Sequence, residues 1–369
     1  MFAQNTVNPA TRPDPAMNID VDSVPSPDQL LDRIPRVQLA DTPTPLQEVP
    51  RLARTVGLSK LFIKRDDQTG LAMGGNKARK LEYDFVEILN QGSDVVLTVG
   101  GTQSNHAVMT AAAARRKGLE ARIVLGGPGF TEYQGNLLLD VLLGTEIRYL
   151  KDNDRNDDLA SAMEGWAEEL RREGRRPYTL PVGGSTGMGA LGYVRAMREL
   201  AAQLGSGPSQ IVLAVGSCGT FAGAILGARL YMPGARVIGI SVSRSRAEIT
   251  SRTMEIVRES VRILDCDVTV TDSGIESYDC YHQQYGVPTD SGREAILSCA
   301  RLEGIFLDPV YTGKSMAGLL DLARRRILDP GIPTVFIHTG GLPILFAFER
   351  SLRDLADFTT VLSPRREPE

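Results

Sequence analysis

The feature that most constrains this chain is a recurring pair: a short apolar run closed by glycine, then a stretch with helical spacing. The runs 95-VVLTVGG, 122-RIVLGG, 211-IVLAVGS, 236-RVIGISV and 334-TVFIHTGG are short and rich in Val and Ile, which reads as strands buried on both faces. After Lys77, the residues Leu81, Phe85, Ile88 and Leu89 share one helical face, and 105–117, 157–173, 190–204, 220–231, 314–328 and 343–352 read likewise. Strand and helix in strict alternation from Leu61 onward predict parallel sheets covered by helices, an α/β fold. About ten such pairs exceed what one open sheet comfortably holds, so two α/β domains with a cleft are expected, with ligands at the carboxyl ends of the strands.

Residues 1–35 are different. Pro9, Pro13, Pro15, Pro25, Pro27 and Pro35 break up any periodic apolar pattern, so this stretch is expected to be a flexible arm, or one that packs across a neighbouring subunit. A net charge of -4 and a pI near 5.6 give no basic surface for neutralising a phosphate backbone, so nucleic acid is not an expected partner. No stretch approaches the roughly 18 apolar residues of a membrane span, and the N-terminus has no signal-peptide pattern, so no membrane association is expected. The four cysteines lack C-x-x-C spacing and the three histidines are far apart, which argues against a metal site; free thiols suit the cytoplasm.

Three glycine-rich segments carry the candidate chemistry. In 70-GLAMGGNKARKLEY, Gly74, Gly75 and the prospective cap Asn76 open a helix whose first turn holds Lys77, Arg79 and Lys80. Cations at a helix N-terminus are electrostatically unfavourable, so a lysine there is biased toward its neutral amine, the nucleophile that makes Schiff bases with aldehydes. Taken alone, the motif is also satisfied by a solvated Lys–Arg turn. The segment 98-TVGGTQSNHAVM leaves backbone N–H groups, the Ser104 hydroxyl and the Asn105 amide where an anionic oxygen could sit. In 214-AVGSCGTFAG, Gly216, Ser217, Gly219 and Thr220 suit a phosphate. Neither loop matches a dinucleotide fingerprint or a P-loop, and each could equally be a tight turn that uses glycine only for its dihedrals.

In this order GGNK-x-RKLEY, GG-x-QSN, YG-x-P, DPVY-x-GKSM and H-x-GG-x-P resemble the 1-aminocyclopropane-1-carboxylate deaminase and D-cysteine desulfhydrase family, from about Pro35 to Ser351. The resemblance implies a tryptophan-synthase-β-like fold for a pyridoxal 5'-phosphate enzyme. It implies a large cofactor-binding domain from 36–80 and 189–369, a small α/β domain from 81–188, and a homodimer. It makes Lys77 the cofactor lysine and Ser104, Tyr285 and Tyr311 its catalytic partners. Lys80, Asn105, Gly216, Ser217, Cys218, Gly219, Thr220 and Thr312 fall on the cofactor side. Asn76, Gln103, Ser104, Asn105, His106, Thr339 and Gly340 fall on the side of a small amino-acid substrate.

The residue after the second tyrosine divides the family. Deaminases resemble one another in having Glu there, facing the pyridine nitrogen, and Leu in H-L-GG; here Thr312 and Thr339 stand instead, the desulfhydrase-like pattern. A hydroxyl supports a protonated ring less than a carboxylate does, which suits elimination of a good leaving group better than opening of a cyclopropane. The chain departs from desulfhydrase-like members after SNH, where they have V-R-Q and this chain has Ala107, Val108 and Met109. The implied reaction is β-elimination to pyruvate and ammonia, with the deaminase reaction, cysteate sulfo-lyase activity and β-replacement as alternatives, and a non-catalytic metabolite-binding protein as the alternative from another class.

Overall fold

The computed structural model describes residues 25–127, 132–151 and 156–353. Its strands are β1 (Leu46–Glu48), β2 (Leu61–Lys64), β3 (Val95–Gly101), β4 (Glu120–Gly127), β5 (Glu146–Lys151), β6 (Pro177–Leu180), β7 (Ser209–Val215), β8 (Ala235–Ser241), β9 (Glu276–Tyr278) and β10 (Thr334–Ile337). They form a six-stranded sheet in the order β1-β2-β10-β7-β8-β9 and a four-stranded sheet in the order β5-β4-β3-β6. All neighbours are parallel except β1 and β2, a correction to the fully parallel expectation. The three-residue β1 is an edge strand, where a mixed pairing is tolerated because only one neighbour must be matched.

Helices α1 (Pro27–Asp32), α2 (Pro50–Val56), α3 (Lys77–Asn90), α4 (Asn105–Arg116), α5 (Gly135–Leu142), α6 (Asn156–Arg172), α7 (Gly187–Leu204), α8 (Gly219–Tyr231), α9 (Arg246–Leu264), α10 (Asp290–Glu303), α11 (Thr312–Arg324), α12 (Leu342–Ala347) and α13 (Glu349–Arg353) cover these sheets. Every residue of β7 is buried, as a central parallel strand requires. One face of the larger sheet packs on α7, α8 and α9 and the other on α2, α10 and α11; the smaller sheet lies between α3, α4 and α5 on one side and α6 on the other. The stretch 343–352, read as one helix, is two, because Phe348 leaves helical geometry between α12 and α13.

The expected arm is ordered where it is described. Ser26 and Gln29 form a capping box around Pro27, and Leu31 is fully buried in a cluster with Tyr83, Leu191 and Leu264. Six residues are too few for a periodic signal, which is why composition alone read them as unstructured. Residues 1–24 lie outside the described residues.

The larger sheet draws its strands from 46–64 and 209–337, the smaller from 95–180. The proposed division at 80/81 and 188/189 falls within α3 and the first turn of α7, and these two helices pack on each other. Arg79 of α3 is clamped there by Asp66 and by Glu199 of α7, with Lys64 and the Tyr193 hydroxyl completing a buried ionic network. All four cysteines are free thiols. Among the described residues no helix is long and apolar enough to cross a membrane.

Candidate active site

A cavity of about 280 Å³ opens at the carboxyl ends of β3, β4 and β7 and is lined from both sheets. Helices α3, α4 and α8 all begin at its wall, so their free N–H groups and positive dipole ends converge on it.

Lys77 is the first residue of α3 and lines the cavity. Its backbone position is set by close contact of two glycines: Gly75 bridges Gly340, and a Cβ on Gly340, at φ +95°, would lie 2.7 Å from the Gly75 Cα. Burial lowers the Lys77 amine from 10.5 to about 8, opposed by a hydrogen bond with Lys80. Asn76 was expected to cap α3, but its amide donates to the Thr220 hydroxyl at 2.8 Å, tying the lysine turn to α8. Lys80 lies behind, fully buried, donating to the Gly183 carbonyl and to Ser185 Oγ at 3.3 Å.

In the second loop Ser104 caps α4, accepting from the Ala107 N–H at 3.2 Å, and its Oγ would lie 2.5 Å from any Cβ at Gly100. Ser104, Asn105 and His106 all line the cavity. The Asn105 oxygen accepts from Asn136 at 2.7 Å, which presents the amide in one orientation. His106 shares a hydrogen bond of 2.9 Å with Thr98, and burial, with Lys77 and Lys80 nearby, holds it well below the ordinary histidine range, hence neutral. Gln103 is turned the other way. Its amide bonds the Gln134 carbonyl and the Asn136 N–H at the start of α5, and it is not among the cavity residues, contrary to the substrate-side expectation.

The third loop leads into α8, whose N-cap residue Cys218 makes no side-chain cap bond of its own. Gly216, Ser217, Cys218 and Thr220 line the cavity, and Cys218 adopts a left-handed φ of +71° that turns the chain into the helix. Gly219 sits behind them, its N–H directed to Ser185 Oγ at 3.3 Å. Free N–H groups at a helix N-terminus are suited to an anion.

Tyr285 and Tyr311 face the cavity with their hydroxyls 2.6 Å apart and their rings edge to face. Burial raises the Tyr311 phenol well above the ordinary tyrosine value; Tyr285, 38% exposed, is raised less, and each keeps its proton at neutral pH. Thr312 starts α11 fully buried and outside the cavity lining. Its hydroxyl donates to Asp308 Oδ2 at 2.6 Å and accepts the Asp308 N–H at 2.8 Å. Thr339 lines the cavity and its carbonyl accepts the Asn76 N–H at 3.0 Å; Gly340 supports Gly75 from behind.

Two parts of the site escaped sequence reasoning. Ser185 donates to Ser217 Oγ at 2.8 Å and so joins Lys80 to the third loop; the run 177-PYTLPVGGST, a strand closed by Gly-Gly-Ser before a helix, has the form of the other loops and was the available signal. Arg244 lines the cavity and donates from Nε to the Gly216 carbonyl at 3.0 Å, and nothing local in the sequence marks it.

Residues 37–340 match the family model described as pyridoxal-phosphate dependent enzyme. The chain is 44% identical over 326 residues to a Pyrococcus horikoshii protein named provisionally as a 1-aminocyclopropane-1-carboxylate deaminase, covering 88% of this chain and 98% of that one. It is 43% identical over 327 residues to a D-cysteine desulfhydrase of Salmonella choleraesuis, covering 86% and 97%. A crystal structure of an ACC deaminase homologue superposes with a TM-score of 0.83 at 43% identity, covering 89% of this chain and 98% of that one.

Proposed function

The chain belongs to the family of pyridoxal-phosphate dependent enzymes, and on that premise we propose that it eliminates the β-substituent of a small β-substituted amino acid, as a D-cysteine desulfhydrase does. The products are pyruvate, ammonia and the departing group. The cofactor is pyridoxal 5'-phosphate, which when bound supplies an aldehyde for amines and a conjugated ring that accepts negative charge from Cα.

The residues fit that cofactor. The N–H groups opening α8, the Ser217 and Thr220 hydroxyls and Lys80 behind them suit its phosphate, Lys77 suits its aldehyde and Asn105 its phenolic oxygen. With a pKa of about 8, Lys77 keeps a usable fraction of free amine near neutrality, so it serves as nucleophile and then takes the Cα proton. Ser104, held at the start of α4, receives the substrate carboxylate among the free N–H groups there. As the Cβ bond breaks, its electron pair leaves with the substituent, and a proton reaches it from Tyr285 or Tyr311, which their raised pKa values keep as donors. The unsaturated amine released is hydrolysed to pyruvate and ammonia.

The observation that carries this reading is the meeting, in one cavity, of a lysine amine of lowered pKa with a pair of protonated phenols 2.6 Å apart. Thr312, with its hydroxyl given to Asp308 and no carboxylate in its place, supports elimination over cyclopropane opening. Four free thiols support a cytoplasmic enzyme, and the exposed Leu138, Val141, Leu142 and Phe346 on the packed pair α5 and α12 support a homodimer. Both enantiomers of cysteine, β-chloroalanine and cysteate, with 1-aminocyclopropane-1-carboxylate alongside, test the assignment. Pyruvate and ammonia should form from at least one β-substituted alanine; 2-oxobutyrate from the cyclopropane with no pyruvate from the others would overturn it.

A further inference from the structure

Lys77, Lys80 and Asp84 lie at i, i+3 and i+7 on α3, one stripe running from the cavity inward. Lys80 is fully buried and Asp84 only 4% exposed. Both reach the turn between β6 and α7. Lys80 donates to the Gly183 carbonyl and to Ser185 Oγ, while the Thr186 hydroxyl donates to Asp84 Oδ1 at 2.7 Å. Among the described residues Asp84 Oδ2 has no hydrogen-bond partner. Gly184 separates this carboxyl from the cavity: a Cβ there would lie 3.3 Å from Asp84 Oδ2 and 3.1 Å from the His106 ring. Through Ser185, which touches Ser217 and the Gly219 N–H, the turn is continuous with the loop read above as the phosphate site.

We propose that Lys80 and Asp84 act together as a proton-linked receptor for the phosphate group, with Asp84 a positioning residue that works through Lys80. This rests on the assignment of the phosphate to residues 216–220. In the empty site the amine and the carboxyl hold one proton between them, because neither is charged cheaply when buried alone. A phosphate dianion at the loop stabilises the ammonium and repels the carboxylate, so the pair takes a second proton from solvent. The surroundings favour this. Burial raises Asp84 to about 7, opposed by the Thr186 hydrogen bond and Lys80, with Glu259 of α9 and Glu87 of α3 adding to the rise; Tyr178 of β6 and His106 of α4 also face the group. Burial holds Lys80 well below its ordinary value, with Lys77 adding to the fall and Asp84 and Cys218 opposing it.

Calorimetry of cofactor-free protein at pH 8, in two buffers of different ionisation heat, tests this. Pyridoxine 5'-phosphate is titrated against pyridoxine, a pair that lacks the aldehyde and differs only in the phosphate. The wild type should take up about one proton per site more with the phosphorylated form, and its affinity for that form should fall about tenfold from pH 8 to pH 9 relative to pyridoxine. Lys80→Met, checked for folding by circular dichroism, leaves Asp84 protonated with or without phosphate and should lose that extra proton, whereas Asp84→Asn leaves Lys80 neutral until phosphate binds and should keep it; the wild-type slope needs no variant. Equal proton uptake with both ligands, uptake unchanged in Lys80→Met, or its loss in Asp84→Asn overturns the proposal. Pyridoxine binding as tightly as its phosphate at every pH would instead remove the phosphate-loop assignment beneath it.

Discussion

Replacing Lys77 by methionine should stabilise the fold of the cofactor-free protein and abolish turnover once cofactor is supplied. Burial lowers the lysine from 10.5 to about 8, and at about 1.4 kcal/mol for each tenfold that is a penalty of about 3 kcal/mol on the folded state wherever the unfolded lysine is charged. Methionine fills the same stem without charge; the lost hydrogen bond with Lys80 offsets about 1 kcal/mol, leaving a gain of about 2 kcal/mol. At about 2.1 cal/mol/K per residue this raises the melting temperature by roughly 3 °C. The sign follows from proton counting. Between about 8 and 10.5 the folded lysine binds fewer protons than the unfolded one, so the wild type gains stability as pH climbs through that window and the variant does not. The advantage of Lys77→Met should be complete below pH 8 and gone near 10.5. Thermal and urea denaturation of both proteins at pH 7 and pH 10 measure it. A variant less stable than wild type at pH 7, or a difference independent of pH, would refute an amine neutralised by burial.

Tyr311→Phe keeps the ring but removes the hydroxyl that meets Tyr285 at 2.6 Å, and steady-state kinetics should show kcat reduced about 100-fold with cofactor affinity little changed. Arg79→Met leaves Asp66 and Glu199 buried without their guanidinium and should cost about 3–5 kcal/mol, read from denaturant midpoints. Gln103→Ala should lower stability by about 1–2 kcal/mol by freeing the start of α5, with KM for the substrate unchanged within about twofold; a large rise in KM would place that side chain on the substrate after all.

Legibility followed the range of the interactions involved. A strand such as 211-IVLAVGS is readable because burial on both faces demands an unbroken apolar run, and the lysine turn is readable because three cations at a helix start are locally unfavourable. From those signals and the order of the motifs, the amino-acid sequence by itself determined the α/β class, the family and the candidate lysine, together with the two loops and two tyrosines around it. It could not show that Asn76 serves Thr220 rather than its own helix, that Gln103 turns to α5, that Thr312 is spent on Asp308, or that Leu31 is buried. Each depends on a partner far along the chain, or on which of two available hydrogen bonds packing permits. The value of about 8 at Lys77 and the burial of Lys80 and Asp84 against the turn at Gly183–Thr186 likewise arise only where the two sheets close around the cavity, because desolvation is a property of the surrounding volume and not of the residues in line.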